Sequence, residues 1–127
     1  EEILRLETPS AGLWRVVTRD TEIQGVAIPK DSLLMLRYAS GNRDESVFSD
    51  PENMDVCRHN ADDNIAFGFG THVCIGQHLS RLEMTIAWEQ LFDNVGAMRL
   101  ACEPGDLEYM PNILLRGLEK LPVIFER

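Results

Sequence analysis

The spacing of apolar residues changes character several times along the chain, and each change marks an element. In Glu1-Glu2-Ile3-Leu4-Arg5-Leu6-Glu7 the apolar positions sit among charges and Pro9 follows, which predicts the last turns of a helix. Leu13 to Thr18 and Ile23 to Ile28 are rich in β-branched residues and flank the polar Arg19-Asp20-Thr21-Glu22, so they predict two strands of a hairpin. Beyond a turn at Pro29-Lys30-Asp31-Ser32, Leu33 to Tyr38 predicts a third strand of the same small antiparallel sheet. From Gly41 to Gly70 the chain is dominated by Asn, Asp, Ser, Pro and Gly without a sustained period, which predicts a long loop with at most short helical turns. An irregular stretch of that length inside a compact domain is usually functional.

A helical period then sets in. Ile75, Leu79, Leu82 and Ile86 recur at i, i+4, i+7 and i+11, with Gln77, Arg81 and Glu89 left to face water. This helix should run to about Phe92, with Gly96 beyond its end. Brief apolar runs at Met98-Arg99-Leu100, Ile113-Leu114-Leu115 and Val123-Ile124-Phe125 predict two or three short strands and a terminal β-hairpin region. The expected fold class is α+β.

Composition narrows the function. A length of 127 residues and a hydrophobic content of 44% suit one globular domain. Twelve Lys and Arg against 21 Asp and Glu leave a net charge of −9, which argues against a nucleic-acid partner. Apolar runs such as Leu33-Leu34-Met35-Leu36 fall far short of the roughly 20 residues that span a bilayer, so no membrane is expected. Three cysteines cannot all pair within one chain, and a reducing cytoplasm fits them better than a secreted disulfide scaffold. The first residues carry neither an initiator Met nor a signal-peptide core and already read as mid-helix, so an N-terminal part of a longer protein is expected to be missing.

The segment with the most chemical content is Phe67-Gly68-Phe69-Gly70-Thr71-His72-Val73-Cys74-Ile75-Gly76, a glycine-rich loop that delivers one cysteine to the start of the strong helix. Exposed amides and the positive end of a helix dipole favour the thiolate, the form that binds metal. Gly68 and Gly70 let backbone come close to a flat ligand, and Gly76 keeps a side chain out of the way of the approaching helix. A planar cofactor fits that description.

Phe67, Gly70, His72, Cys74 and Gly76 match, position by position, the cysteine loop of the cytochrome P450 family, Phe-x-x-Gly-x-(Arg or His)-x-Cys-x-Gly, which the chain therefore resembles. The Gln77-His78-Leu79 continuation looks like the soluble bacterial branch. Glu2-Ile3-Leu4-Arg5 is similar to the family's Glu-x-x-Arg helix motif, and Asn42-Arg43-Asp44, Asp50-Pro51 and Asp55-Val56-x-Arg58 follow in the family's order. The resemblance implies that residues 1–127 are the C-terminal part of a single cytochrome P450 domain, mainly α when complete. It implies haem b held through Cys74 as axial thiolate, in a monooxygenase that inserts one oxygen atom of O2 into an organic substrate. Arg15 and His72 would hold the haem propionates. Phe67 would shield the sulfur, and Gly68, Thr71, Val73, Ile75 and Gly76 would border the cofactor. Glu2 and Arg5 would form a buried structural ion pair. Ala11, Leu13, Leu114 and Leu115 would line the substrate pocket, their apolar character implying a hydrophobic substrate. Electrons would come from NAD(P)H through a ferredoxin or flavoprotein, and the enzyme would be a cytoplasmic monomer.

The chain departs from the family's pattern at two places. Where an Arg and an aromatic residue usually follow Asp-Pro and complete a Glu-Arg-Arg triad, it has Asn53 and Met54, leaving the third member unassigned. Asn64 stands where bacterial relatives often carry His. The oxygen-activating helix and the helices of the distal pocket are not in the sequence, so this stretch alone should not catalyse.

Rival readings have weaker support in the residues. Cys57-x-His59 and His72-x-Cys74 offer four zinc ligands, but one-residue gaps fall outside the usual spacing for ligand pairs. A cysteine hydrolase elbow would want Gly where His72 stands, and a dinucleotide loop would want Gly at Val73. Cys57, Cys102, His59 and His78 lack any comparable setting and read as structural or surface residues. A truncated remnant that folds partly and only binds haem or a partner is the non-enzymatic alternative; a true start near Glu1 would favour it. Because much of the apolar surface would normally pack on other helices and on haem, the isolated chain should have weak or no independent stability. Differential scanning calorimetry of the 127 residues without haem is expected to show no cooperative transition; a sharp melt would contradict this.

Overall fold

In the computed structural model, which describes Glu1–Glu126, the first helix is α1 (Glu2–Glu7). It ends at Thr8, whose backbone turns left-handed at φ 37° while its amide donates to the Leu4 carbonyl and its hydroxyl to the Arg5 carbonyl at 2.7 Å. Pro9 then prevents continuation, as the sequence predicts. The chain divides into two compact units, one made of Glu1–Ala66 with Asn112–Arg116 and the other of Phe67–Pro111 with Gly117–Arg127.

Within the first unit the strands pair differently from the sequence expectation. Strand β1 (Leu13–Val16) lies antiparallel to β4 (Leu33–Leu36), with Leu13 opposite Leu36 and Val16 opposite Leu33. Strands β2 (Thr21–Ile23) and β3 (Val26–Ile28) form a separate hairpin. Its two-residue turn is Gln24-Gly25, with φ of 49° and 80°. Positive φ at both central residues matches the twist of the flanking strands, and glycine takes the second at no steric cost. The sequence reading placed these two residues inside a strand and the turn at Arg19–Glu22. A Gln-Gly pair in a β-branched run conceals a turn that Asn-Gly would have announced. Tyr38 is corrected too: it is buried and opens the short helix α2 (Tyr38–Gly41) instead of ending a strand. The long loop from Gly41 to Gly70 holds as expected, interrupted by 3-10 turns such as Ala61–Asp63.

The buried apolar side chains are Leu4, Leu6, Val17, Tyr38, Phe48 and Ala66, but the middle of this core is polar. Arg5 is wholly inaccessible. Its Nε and Nη2 donate to the two Glu2 carboxylate oxygens at 2.7 and 2.8 Å, and Nη1 donates to the Asn42 and Pro51 carbonyls, each at 2.8 Å. A second Nη2 bond reaches the Asn53 carbonyl at 3.4 Å, so all five N–H groups are used. The Phe48 ring lies under the guanidinium, 5.1 Å from its carbon. Asn42, also inaccessible, donates to the Thr8 hydroxyl at 2.9 Å and accepts from the Ile65 amide at 2.7 Å. These bonds bind α1 to three separate points of the loop, and no buried side-chain N or O among the described residues is left unpaired.

The second unit contains α3 (Gln77–Asn94) and a two-stranded antiparallel sheet of β5 (Ala97–Leu100) and β6 (Val123–Glu126). Its strands are joined by a long excursion pinched by a Tyr109–Leu118 bridge. Ile113–Leu115 does not form a third strand; it belongs to the first unit, where Leu115 makes one isolated bridge to Ser10. No residue of α3 is buried, and Leu79, Leu82 and Ile86 of its apolar stripe are all about half exposed or more. None of the described helices is long and apolar enough to cross a membrane.

The hydrogen bonds from Arg5, then from the Asp55 amide and Arg58, lower the Glu2 pKa from 4.5 to about 2 against the opposing effect of burial. A carboxylate held low in the folded state contributes stability that is present above its unfolded pKa and lost as pH falls toward the folded value. In the intact protein that loss should therefore fall between about pH 4.5 and 2 and amount to about 3 kcal/mol. Glu2→Gln should remove this acid-side dependence and, by stranding a buried guanidinium, cost about 3–5 kcal/mol at neutral pH, read from urea denaturation midpoints.

Candidate functional site

The loop ahead of α3 is shaped by two glycines in the left-handed region, Gly68 at φ 76° and Gly70 at φ 72°. Gly70–His72 forms a 3-10 turn, closed by the Val73 amide donating to the Gly70 carbonyl at 3.0 Å. The chain then folds back, so that the Cys74 amide donates to the Phe67 carbonyl at 2.8 Å. On the other side the Cys74 carbonyl accepts from the Gln77 amide at 3.2 Å. Both backbone groups of Cys74 are thus committed, which fixes where its side chain leaves the loop.

That side chain is exposed, and so are its apolar neighbours. Ile75 is fully accessible, Phe69 is 87% exposed, and Val73 and Leu79 are also open. At Gly70 an added Cβ would meet nothing within 4 Å, whereas at Gly76 it would come 3.9 Å from the Cys74 sulfur. The helix itself begins at Gln77, with Gly76 as its N-cap, so Ile75 and Cys74 precede it and are not its first turn.

These features discriminate between cofactors. Among the described residues no three His, Cys, Asp or Glu side chains converge on a possible metal position, so the four-ligand zinc arrangement is not assembled. A metal held by Cys74 would need its other coordination positions filled by something other than these side chains. A soft sulfur donor amid open apolar surface, flanked by glycines, fits iron carried in a flat macrocycle.

Two residues expected to face water do otherwise. Gln77 and Arg81 are half-buried and bonded to each other, Arg81 Nη1 donating to Gln77 Oε1 at 2.9 Å. The Arg81 guanidinium also lies over the Phe67 ring, 4.8 Å from its centroid. His72 is exposed in its turn, as are Thr71 and Val73. Arg15 sits on β1 opposite Leu34, half-buried, with Nη1 donating to the Trp14 carbonyl at 2.8 Å. Ala11 and Leu114 are brought together by a 2.7 Å bond from the Ala11 amide to the Leu114 carbonyl, and Leu115 pairs with Ser10 next door. Leu13 follows on β1, partly exposed.

Glu2 and Arg5 form the expected buried pair, and a second cation completes it. Arg58 Nε donates to Glu2 Oε1 at 3.1 Å with its side chain nearly inaccessible, and its other nitrogens reach the Ser49, Asp50 and Asn53 carbonyls. Asn53 thus serves through its backbone, accepting from Arg5 as well. The sequence reading noted Arg58 within a matching motif without assigning it this role. It also missed the linking parts played by Thr8 and Asn42. A buried guanidinium motif implies carbonyl acceptors nearby, but only the folded loop reveals which residues supply them. Asn64 donates to the Ala61 carbonyl at 2.7 Å and to the Glu1 carboxylate at 3.0 Å, and accepts from the Ala66 amide. Cys57, His59 and His78 are exposed and Cys102 is half-buried; none is drawn into a cluster among the described residues.

Comparison with known proteins gives one answer throughout. Residues 1–95 match the sequence model described as Cytochrome P450. The steroid C26-monooxygenase of Mycobacterium tuberculosis is 41% identical over 125 residues, covering 98% of this chain and 33% of that protein. The 6-deoxyerythronolide B hydroxylase of Saccharopolyspora erythraea is 37% identical over 97% of the chain and 30% of its own length. Among solved structures, the tirandamycin C-bound P450 monooxygenase TamI superposes with a TM-score of 0.94 at 42% identity, over 99% of this chain and 32% of that one. P450BioI in complex with an acyl carrier protein ligated to hexadec-9Z-enoic acid gives 0.92 at 38% identity, over 98% and 32%. The chain spans about a third of the length of these relatives. A cysteine loop of this geometry, a family match across most of the sequence and agreement in fold over nearly all of it establish that the chain belongs to the cytochrome P450 family.

Proposed function

We propose that this chain is the C-terminal third of a single-domain haem-thiolate monooxygenase, in which Cys74 would supply the thiolate that holds haem b. The observation that carries the reading is the Cys74 side chain itself: exposed, fixed by hydrogen bonds on both sides of its backbone, and set among open apolar residues ahead of a long helix. When bound, haem supplies activation of O2 for insertion of one oxygen atom into an organic substrate, and the remaining roles fall to this chain's residues. Cys74 gives up its thiol proton on binding and presents sulfur as the ligand. Arg15 and His72 hold the propionate carboxylates, a guanidinium and an imidazole donor suited to that task. Phe67 shields the sulfur from water, while Gly68, Thr71, Val73, Ile75 and Gly76 form the border against the macrocycle. Glu2, Arg5 and Arg58 keep the long loop in place without touching substrate.

Ala11, Leu13, Leu114 and Leu115 contribute an apolar edge to the substrate pocket, three of them already adjacent through backbone pairing. Their character suits a hydrophobic substrate, in line with a steroid C26-monooxygenase among the relatives. Electrons come from NAD(P)H through a ferredoxin or flavoprotein. The enzyme acts as a monomer in the cytoplasm.

Two measurements test the assignment. The ferrous-CO spectrum of the full-length protein should show the red-shifted band of thiolate ligation, and Cys74→Ala should abolish it; a mutant that keeps the band sinks the proposal. His72→Ala and Arg15→Ala should each keep the band but retain haem about tenfold to a hundredfold less tightly, the loss of one bond to a charged group. Transfer of haem to apomyoglobin measures this.

A further inference from the structure

Leu114 and Leu115 lie on a turn with almost no regular structure. Asn112–Arg116 meets the start of the chain at one isolated bridge, Leu115 opposite Ser10. The bridge is framed by the Ala11 amide on the Leu114 carbonyl at 2.7 Å and the Arg116 amide on the Pro9 carbonyl at 2.8 Å. In that pattern Leu115 occupies a pair that exchanges no hydrogen bonds, so its own amide points away from Ser10 and needs another acceptor. Asn112 supplies it: Oδ1 accepts from the amides of both Leu114 and Leu115, each at 2.9 Å. An Asn oxygen that takes two successive amides imitates a turn of backbone and fixes the direction in which those residues project. Packing contributes little to the shape of the turn, since Asn112 is exposed and Ile113 is 74% accessible. The facing segment, by contrast, has no room to shift. The Ala11 carbonyl accepts from the Ala39 amide at 3.2 Å, and a Cβ at Gly12 would collide with the Leu36 carbonyl oxygen.

We propose that Asn112 is a positioning residue for substrate selection: through Oδ1 it holds Leu114 and Leu115 beside Ala11 as one rigid apolar edge, and so sets how long apolar ligands seat. The inference rests on the reading that these residues border the substrate pocket and deepens it by naming the group that orients them. Asn112 does not itself touch substrate. Without its oxygen the Leu114 and Leu115 amides turn to water, and the turn samples several conformations on a bridge of only two backbone bonds. Ligand binding must then order it again, and that cost falls only on ligands long enough to reach the edge. A ligand confined to the iron is unaffected.

The test uses the full-length haem-loaded protein and two probes that share one iron-binding head, imidazole and 1-dodecylimidazole, the second carrying an apolar chain into the pocket. Binding of each is read from the shift of the haem Soret band. Asn112→Ala should weaken 1-dodecylimidazole about threefold to tenfold, on the scale of one neutral hydrogen bond, and leave imidazole unchanged. Asn112→Asp, which keeps an acceptor for both amides, should recover most of the loss. Unchanged binding of the long probe in Asn112→Ala overturns the proposal, and so does an equal loss for both probes, which would mark a general disturbance of the haem site. If Asn112→Ala fails to load haem, Asn112→Ser decides instead: a smaller loss confined to the long probe supports the inference and none overturns it. The double variant Leu114→Ala with Leu115→Ala separates the two levels. If it too leaves the long probe unaffected, the pocket reading falls and this inference with it; if it weakens that probe while Asn112→Ala does not, the inference alone falls.

Discussion

A guanidinium sealed from water must find an acceptor for each of its five N–H groups, and the fold of residues 2–66 is organised around that demand. Arg5 takes two acceptors from Glu2, three residues earlier on the same helix, but the other three are carbonyls of Asn42, Pro51 and Asn53. Carbonyls this far apart in sequence reach one nitrogen plane only if the intervening loop adopts one conformation. An irregular segment with little regular secondary structure is thereby made specific. Arg58 repeats the logic from the loop side, bringing its own cation to Glu2 and drawing on carbonyls of Ser49, Asp50 and Asn53.

Such a core differs from an apolar one in how it fails. Trimming the side chain of Leu4 or Phe48 leaves a cavity whose cost is graded by its volume. Losing one member of the Glu2 cluster leaves charge without a partner in a place water cannot reach, and the cost falls on every bond in the set at once.

Much of this was legible in the sequence, and the limits have physical causes. The end of α1 followed from Pro9, the extent of α3 from its apolar period, and β5 and β6 from short runs bounded by turn residues. The cysteine loop was readable because its chemistry is local: two glycines, a cysteine and a helix start lie within ten residues. Strand pairing was not, because Gln24-Gly25 carries only half of the usual turn signature and β1 finds its partner across an intervening hairpin. Arg58 escaped assignment because its carboxylate partner, Glu2, lies 56 positions back, and Asn42 because its partners lie 23 to 37 positions away, which no periodicity encodes. Arg81 was misplaced for a subtler reason: a charge on the polar side of a helix is usually solvated, unless an aromatic ring occupies the space in front of it.

Every buried residue among those described falls between Glu2 and Ala66, and none lies in the second unit. Translation proceeds from the N-terminus, so Arg58 and Ile65, the last members of the buried donor and acceptor set, leave the ribosome before Cys74 does. The donors and acceptors that fix the loop are therefore all made before the segment that carries the sulfur, while Asn112–Arg116, which complete the same unit, are made after it.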